Sequence, residues 1–544
     1  MSKHEAQTYS RRSFLKGAGA ALAGASVSAG VGLAGCAPAE DRPPADTGAT
    51  PLEATSGIWA LDAIGEPTET LQADVAIIGG GGTGTAAAIE ASQQGLSVVL
   101  VDRGASFGGA FINTEGMLGI NTSWTRTQES NPSVEEMVQK CMAYHHWVPN
   151  HGLYMNYFEQ TAETVEWLKE FGIEYRGIFQ PSPISAYAHD YENVEGSMPG
   201  ALFMEKLGAA AEQYGITARF KTIAKKILVE DGKVTGLLAE DDEGTVIQVD
   251  APVVILASGG YASNPDILYD LANLSNENIF SLGPEIRNGD GLKMARDAGA
   301  AFAASPGTIM WCGPVITGAG WTTDAYAASV QPTLWLNEKA ERWCNEDLWV
   351  GDFAAAGIAQ ANQKRTYAIL TNADIEQLET TGPYVRVFTW GPPGVPLPDV
   401  RSELERLSSV TVVDTIEETA EAASLDPEAL RKTIQRYNGF CESGVDEDFG
   451  KEQQYLAKIE APYWVCETSL GYYTTVGGIK VSSETEVLDE AGEPIGGLYA
   501  GGCDAGGLYG DSYDVSLAPG SQASWAINSG RIAAKQARKY VEAN

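Results

Sequence analysis

Residues Ala73–Asp102 read ADVAIIGGGGTGTAAAIEASQQGLSVVLVD. Within this stretch Val75–Ile78 is a short apolar run, which is typical of a buried parallel strand. The small residues of Ala86–Ser92 predict a helix, and Leu96–Val101 predicts a second apolar strand that ends at Asp102. A strand, a glycine loop, a helix and a strand in this order predict a βαβ unit.

The glycines of this stretch have the spacing of a nucleotide-binding loop. Gly79, Gly81 and Gly84 fit the pattern G-x-G-x-x-G. The first allows a tight turn, the second lets the backbone approach a pyrophosphate, and the third lets the helix pack close to the strand. Asp102 follows Gly84 by 18 residues, about where an acid meets a ribose hydroxyl. We therefore predict a Rossmann-type site for an adenine dinucleotide, either FAD or NAD.

Length and charge bound the class of protein. A chain of 544 residues is too long for one core, so two or more domains are expected. The formal net charge of −36 argues against binding to nucleic acid, because no basic patch survives in such a field.

The cysteines give no sign of a metal site. The chain has seven of them, without a C-x-x-C or a C-x-x-C-H motif. We therefore predict no c-type haem, no Fe–S cluster and no zinc. The six cysteines after Cys36 are expected to be buried small hydrophobic side chains. The alternative is that two of them form a disulfide.

The N-terminus carries targeting features. Ser10–Lys16, SRRSFLK, precedes a mildly apolar run from Gly17 to Gly35, which predicts a twin-arginine export signal. Leu33–Cys36 resembles a lipobox, and Ala37–Ser56 is a patternless tether. We expect export and anchoring to the cell membrane through lipidated Cys36 alone. The alternative is an ordinary cysteine near a cleavage site.

Further glycine-bearing segments follow the βαβ unit in a recognisable order. Together they resemble the flavin-contacting segments of the fumarate reductase/succinate dehydrogenase flavoprotein family. The resemblance implies an α/β fold, with a Rossmann-type FAD-binding domain and an inserted α+β capping domain. Ile112 and Asn113 stand where some members have a His that tethers the flavin, so FAD is expected to bind non-covalently. The segments are Arg103–Ala110, Phe111–Asn121 (loop-like), Val253–Tyr261, Asn288–Gly291, Tyr472–Ile479 and Gly497–Asp504.

The resemblance also implies domain bounds and a set of cofactor contacts. We expect a signal at 1–36, a linker at 37–72, the first part of the FAD-binding domain at 73–300, a capping domain at 301–463 and the return of the FAD-binding domain at 464–544. The predicted FAD contacts are Gly79, Gly81, Gly82, Thr83, Gly84, Asp102, Arg103, Gly109, Ala110, Gly116, Met117, Ala224, Ala257, Gly259, Asp290, Cys503, Asp504, Ser516 and Leu517.

The expected capping domain is rich in tryptophan. Five of the twelve tryptophans lie between Trp311 and Trp349. Core filling is the ordinary role of such side chains. This density also fits an aromatic wall over an apolar ligand.

The resemblance breaks down at the positions that hold a dicarboxylate in fumarate reductases. The substrate-binding His and Arg positions fall in Trp311–Gly313, on Tyr473 and Thr474, and on Tyr513, and the proton-delivering Arg falls near Val350–Gly351. None of the charged groups is kept. Because a desolvated carboxylate without cationic partners costs several kcal/mol, we expect a neutral, apolar substrate.

Tyr473 and Gly477 are similar to the 3-ketosteroid dehydrogenase branch of the family, in which a Tyr hydroxyl and a Gly N–H grip a ketone oxygen. Two donors at one carbonyl stabilise the enolate that forms as hydride is added or removed. We therefore predict Tyr473, Gly477 and Tyr513 as catalytic, although Tyr473 can also be an ordinary core tyrosine and Tyr513 a wall. Tyr326 and His189 are further candidate acids, each with a structural role as the alternative.

These inferences lead to an exported FAD-dependent oxidoreductase. We expect it to reduce an activated C=C bond of an enone-like, steroid-like or aromatic substrate by hydride transfer from flavin N5. A separate quinol-linked membrane subunit is expected to supply the electrons. The alternatives are the reverse, ketosteroid-dehydrogenase-like oxidation, a fumarate reductase-like acid reductase and an electron-carrier flavoprotein subunit.

Overall fold

The computed structural model describes residues 57–192, 198–318, 322–385 and 394–544. The predicted export signal, Cys36 and most of the linker lie outside the described residues, as does Trp321. Among the described residues no helix has the length and apolarity needed to cross a membrane.

A ten-stranded sheet forms the centre of the molecule. Five neighbouring strands are parallel and include the two predicted around the glycine loop, which are buried on both faces as expected for such a sheet. The second of these begins at Val98, two residues later than predicted. In spatial order the strands are Glu69–Gln72, Val246–Asp250, Lys233–Asp241, Pro494–Ala500, Val253–Leu256, Val75–Ile78, Val98–Val101 and Thr217–Arg219, with Glu486–Leu488 and Thr222–Glu230 paired at the side.

Two helices cover the glycine-loop end of this sheet. The first begins at Gly82, not at Ala86 as predicted, because the glycines already take helical backbone geometry. Helix Ser521–Ala543 packs closely on it: a Cβ at Gly530 would overlap the Thr83 carbonyl. A buried ion pair joins the two helices, with Arg531 Nε 2.8 Å from Glu90 Oε2.

A six-stranded sheet forms the second layer of structure. Its long central strand, Tyr463–Thr475, pairs with four of the other five. The sheet extends on both sides of the expected capping segment 301–463. Its strands are Ile279–Ser281, Ile309–Ile316, Leu334–Asn337, Thr366–Thr371, Val410–Val413 and Tyr463–Thr475.

A three-stranded sheet corrects the prediction of a loop at Phe111–Asn121. Gly109–Asn113 is a short 3-10 helix, and Gly116–Gly119 is a strand paired with Tyr187–Tyr191. The glycines favour this pairing because a Cβ at Gly116 would meet the backbone of His189. The third strand is Tyr175–Phe179, and a two-stranded ribbon joins Ile479–Lys480 to Ala505–Gly506.

The remaining helices surround these sheets. The described α-helices are Gly82–Gln93, Val134–Tyr144, His151–Lys169, Pro199–Gln213, Pro265–Ala272, Asp290–Asp297, Thr323–Ser329, Leu348–Gly351, Phe353–Ala361, Asn372–Thr380, Val400–Leu404, Ile416–Ala423, Pro427–Ser443 and Ser521–Ala543.

Candidate active site

The glycine loop, Gly79–Gly84, has the geometry that its spacing predicts. Gly79 has φ of +110°, and a Cβ there would overlap the Ala257 carbonyl. A Cβ at Gly84 would overlap the Gly79 carbonyl, so the third glycine brings the helix close to the strand. At Gly81 a Cβ would meet no protein atom nearer than 3.8 Å. Protein packing therefore does not require a glycine at 81, whereas close approach of a ligand does.

A cleft opens beside this loop. Its position at the carboxyl ends of the parallel strands is where nucleotides bind in such sheets. Ten of the predicted FAD contacts line it together. They are Gly79, Gly81, Asp102, Arg103, Gly109, Ala110, Ala224, Ala257, Gly259 and Asp290.

Polar groups are fixed at the edges of this cleft. The Asp102 carboxylate accepts hydrogen bonds from the backbone N–H groups of Gly80 and Gly104, each at 2.5 Å. Arg103 and Asp290 form an ion pair within the cleft lining. An acid at the end of the second parallel strand, a glycine loop with room at Gly81 and a helix N-terminus fit the ribose and pyrophosphate of an adenine dinucleotide.

The other predicted FAD contacts are not among the residues that line this cleft. Gly82, Thr83 and Gly84 form the first turn of the glycine-loop helix. Gly116 and Met117 begin the strand against which Gly520 packs, just before the C-terminal helix. Ser516 and Leu517 precede that helix and keep part of their surface accessible.

Asp504 makes its side-chain hydrogen bonds within the protein. Its buried carboxylate accepts hydrogen bonds from the Gly260 N–H at 2.8 Å and from Ser258. Burial raises the pKa of this carboxyl, and these hydrogen bonds lower it. The side chain therefore holds the Ser258–Gly260 turn of the protein. Its neighbour Cys503 lies 3.3 Å from Thr474 Oγ1 and 3.2 Å from Gln522 Nε2.

Two tyrosine hydroxyls meet near the end of the long central strand, and we call Tyr326 and Tyr473 the tyrosine pair. Their oxygens are 3.1 Å apart. Tyr326 also lies 3.0 Å from the Cys312 carbonyl, which accepts a second hydrogen bond from Trp349 Nε1 at 2.9 Å. Because Trp349 satisfies this carbonyl in either case, Tyr326 can donate to Tyr473, and Tyr473 can then donate to a ligand oxygen.

Aromatic rings surround the tyrosine pair. We call Trp349, Phe353, Tyr473, Tyr509 and Tyr513 the aromatic cluster. The Phe353 ring lies 6.1 Å from Tyr473, 6.4 Å from Tyr513 and 6.2 Å from Trp349, and Tyr509 lies 5.7 Å from Tyr513. Burial raises the pKa of the Tyr473, Tyr326 and Tyr513 hydroxyls, so these groups stay protonated near neutral pH.

Gly477 does not have the predicted geometry. Its backbone N–H donates to the Thr308 carbonyl at 3.1 Å, and a Cβ there would overlap the Ser305 and Pro306 carbonyls. The N–H is therefore directed at the protein, and the glycine is required for close packing. Tyr326, which the sequence offered only as a candidate acid, is the second hydroxyl beside Tyr473.

His189 lies apart from the aromatic cluster, in the three-stranded sheet. Its Nε2 is 2.9 Å from Thr122 Oγ1, and it packs against Tyr175 and Trp124. Burial lowers the pKa of its imidazole to about 4. These contacts give His189 a structural role.

The described tryptophans of the tryptophan-rich segment lie in three places. Trp349 joins the aromatic cluster, and Trp311 contacts Tyr472 with ring centres 6.1 Å apart. Trp335 and Trp343 stack on each other at 5.4 Å and share no ring contact with the cluster among the described residues. The wall around the tyrosine pair is thus made mainly of tyrosine and phenylalanine.

Sequence reasoning missed two charged groups beside these regions. Buried Arg287 lines the cofactor cleft and donates to the Tyr473 carbonyl at 2.7 Å. Asp352 precedes Phe353 and accepts a hydrogen bond from Tyr144 at 2.7 Å. No sequence motif marks Arg287 or Asp352. Asp352 has the sequence pattern of an ordinary helix N-cap.

Comparisons with known proteins agree with this geometry. The model of the family described as FAD binding domain matches residues 74–515. Vinyl phenol reductase of Lactiplantibacillus plantarum is 32% identical over 86% of this chain and 97% of its own length. Fumarate reductase (cytochrome) of Shewanella frigidimarina is 26% identical over 87% of this chain and 78% of its own.

A solved structure shares the fold. The 3-ketosteroid delta1-dehydrogenase of Sterolibacterium denitrificans superposes with a TM-score of 0.70 at 19% identity, over 86% of this chain and 99% of its own. The chain therefore belongs to the FAD-binding flavoproteins of the fumarate reductase/succinate dehydrogenase family. It is an FAD-dependent oxidoreductase, and the predicted α/β fold and cofactor are confirmed.

Proposed function

We propose that this protein reduces a C=C bond that is conjugated to a neutral oxygen of a small apolar molecule, either an enone or a vinyl-substituted phenol. The tyrosine pair within the aromatic cluster carries this proposal. Reduced FAD, held by the glycine loop, Asp102 and the cleft residues, supplies hydride when it is bound.

The tyrosine pair binds the substrate oxygen. When hydride adds to a conjugated C=C bond, negative charge develops on the oxygen at the far end of the conjugated system. The Tyr473 hydroxyl donates to that oxygen, and Tyr326 donates to Tyr473. Preorganised donors of this kind stabilise the charge in a site from which water is excluded. An enone places such an oxygen in conjugation with the reacting carbons. A vinyl phenol does so as its quinone methide, which forms when the phenolic O–H loses its proton and the terminal vinyl carbon gains one; hydride addition to the benzylic carbon then returns a phenolate oxygen.

The aromatic cluster selects the rest of the molecule. Phe353, Tyr509 and Tyr513 offer ring faces and edges, which suit a flat apolar substrate. The family resemblance implies that Tyr473 and Tyr513 stand where fumarate reductases bind carboxylates. The similarity to vinyl phenol reductase supports an aromatic substrate, and the similarity to fumarate reductase (cytochrome) favours the alternative, a dicarboxylate.

Reoxidation of the reduced holoprotein tests the proposal. The protein is reduced anaerobically and mixed with 4-vinylphenol, an unsaturated ketosteroid, a cinnamate or fumarate, while the flavin absorbance is followed. We expect reoxidation by the phenol or the enone. Reoxidation by fumarate alone contradicts the proposal, and reoxidation by no organic acceptor favours an electron carrier.

The same site can run in the opposite direction. Two results together favour the ketosteroid-dehydrogenase-like alternative. A saturated ketone reduces the oxidised protein, and the reduced protein does not reduce an enone. The tyrosine pair serves both directions, because the same oxygen carries charge in each.

We also propose that the protein is exported through the twin-arginine pathway, anchored through Cys36 and supplied with electrons by a quinol-linked membrane subunit. Residues Ser10–Lys16 and Leu33–Cys36 support this. Arg11→Lys with Arg12→Lys is expected to retain the protein inside the cell. Cys36→Ala is expected to release it from the membrane fraction, and unchanged fractionation of both variants contradicts the proposal.

A further inference from the structure

Asp352 has more hydrogen bonds than a helix cap needs. It precedes helix Phe353–Ala361, and its Oδ1 accepts from the Ala355 N–H at 2.9 Å, as an N-cap does. Its Oδ2 accepts from the Tyr144 hydroxyl at 2.7 Å and from the Ser516 hydroxyl at 3.2 Å. These two hydroxyls come from segments that are far apart in the chain. One carboxylate oxygen therefore caps the helix, and the other joins three elements.

This carboxylate joins a partly exposed tyrosine to the segment that carries the aromatic cluster. Tyr144 ends helix Val134–Tyr144 and is partly exposed, and its hydroxyl is 3.4 Å from the Tyr513 carbonyl. Phe353, the residue after Asp352, contacts both Tyr473 and Tyr513. Ser516 also keeps accessible surface and is predicted to lie at the flavin. Tyr144, Asp352 and Ser516 thus form a continuous hydrogen-bonded chain, which we call the carboxylate relay.

Reduction of a C=C bond needs a proton as well as a hydride. The tyrosine pair serves the substrate oxygen, so a second group has to protonate carbon. A carboxyl group that contacts the hydroxyl of a partly exposed tyrosine and a serine hydroxyl predicted to lie at the flavin has the connections of a general acid that can be reloaded.

We propose that the carboxylate relay delivers the proton that completes C=C reduction, with Asp352 as the donor and Ser516 as the last hydroxyl before the substrate. The inference rests on the function proposed above. In the balanced step the π bond breaks and two C–H bonds form. Hydride brings two electrons from reduced FAD, which is oxidised, and Asp352 gives up a proton through Ser516. Solvent then returns a proton to Asp352 through Tyr144.

The surroundings of Asp352 favour proton binding. Burial raises the pKa of its carboxyl, the hydrogen bonds from Tyr144, Ala355 and Ser516 lower it, and the nearby Asp514 raises it. Asp514 is itself buried and lies 3.5 Å from His145 Nε2. The net direction is upward, so the rate of reduction is expected to fall as pH rises through this pKa.

Asp352→Asn tests the relay, because Asn caps a helix as well as Asp but carries no proton to give. The matched control is Asp426→Asn, which changes the N-cap of helix Pro427–Ser443 on the surface of the protein. Reoxidation by substrate is expected to fall on the order of 10²-fold in Asp352→Asn, in kcat and not in KM. The control is expected to match the wild type.

A second electron acceptor separates a lost proton from a damaged site. Ferricyanide takes electrons without protonating carbon, so we expect Asp352→Asn to be reoxidised by it at the wild-type rate. The variant is also expected to lose the fall in rate at high pH and to change the solvent isotope effect. Wild-type rates with substrate, or equal losses with both acceptors, overturn the relay. Where Asp352→Asn fails to load FAD, Tyr144→Phe and Ser516→Ala take its place, with the same expected split between the two acceptors.

Failure of the relay and failure of the proposed function give different results. If ferricyanide reoxidises the reduced wild-type protein but no unsaturated substrate does, both the relay and the proposed function are wrong. A wild-type protein that reduces substrate, with Asp352→Asn equally fast at every pH, overturns the relay alone.

Discussion

The cofactor cleft and the aromatic cluster are built in different ways. At the cleft, Gly79, Gly81 and Asp102 lie within one βαβ unit and contribute turns, space and one carboxylate. At the tyrosine pair and the aromatic cluster around it, Tyr326, Phe353 and Tyr473 come from three separate segments and contribute side chains. A site that binds through backbone shape is recognisable from spacing along the chain. A site made of converging side chains needs the fold to bring them together.

The largest expected effect is at the aromatic cluster. Tyr473→Phe removes the hydroxyl that donates to the substrate oxygen, and loss of one such donor is expected to lower kcat by about 10²–10³-fold. Stopped-flow reoxidation of the reduced protein measures this. Tyr472→Phe is the matched control, because that hydroxyl donates to the Ala262 carbonyl on the other face of the strand. Equal losses in the two variants mean that the tyrosine pair has no special role.

The next effect is at the cleft. In Gly81→Val the added side chain occupies the space left for the pyrophosphate, while no protein atom opposes it at Cβ. Loss of about two charge-assisted hydrogen bonds is expected to weaken FAD binding by about 10²-fold, with the fold retained. Titration of the apoprotein with FAD and circular dichroism measure both. Gly439→Ala, on a helix with open space around it, is the control. An unchanged affinity for FAD in Gly81→Val contradicts the interpretation that Gly81 leaves space for the pyrophosphate.

A stability effect separates His189 from the catalytic groups. Burial lowers the pKa of its imidazole to about 4 from an ordinary 6.5. As pH falls, the His189 imidazole therefore binds a proton at a higher pH in the unfolded chain than in the folded protein. The free energy of unfolding decreases as pH falls from about 6.5 towards 4, by about 2 kcal/mol between pH 6.5 and 5. His189→Gln is expected to reduce this dependence in denaturant unfolding curves without changing kcat. A changed kcat returns His189 to the list of candidate acids.

The smallest effects compare two tryptophans of the same segment. Trp349→Phe removes the second hydrogen bond to the Cys312 carbonyl, so Tyr326 donates to that carbonyl in place of Tyr473. Because a neutral hydrogen bond contributes about 1 kcal/mol, we expect kcat to fall by about fivefold. Trp343→Phe removes an indole N–H with no partner among the described residues, so activity is expected to stay the same. Steady-state turnover of both variants distinguishes them. Equal losses mean that the whole tryptophan-rich segment serves the site.

The differences between prediction and structure have physical causes. The helix after the glycine loop starts four residues early, because glycines contribute helical turns without the apolar pattern that marks a helix. Gly116–Gly119 becomes a strand because a partner, Tyr187–Tyr191, lies far along the chain. The spacing between Tyr473 and Gly477 predicts a backbone N–H that binds a substrate oxygen. In the structure the Gly477 N–H donates to the Thr308 carbonyl instead, and spacing along the chain does not predict that contact.

The sequence by itself determined the βαβ unit, the adenine-dinucleotide loop and the family. These properties depend on local order and on which side chains are present. Only the tertiary structure decided that Tyr326 is the partner of Tyr473, that Asp504 holds a turn, and that Asp352 joins Tyr144 to Ser516. Such contacts link residues more than a hundred positions apart, and their geometry is set by the packing of whole sheets and helices.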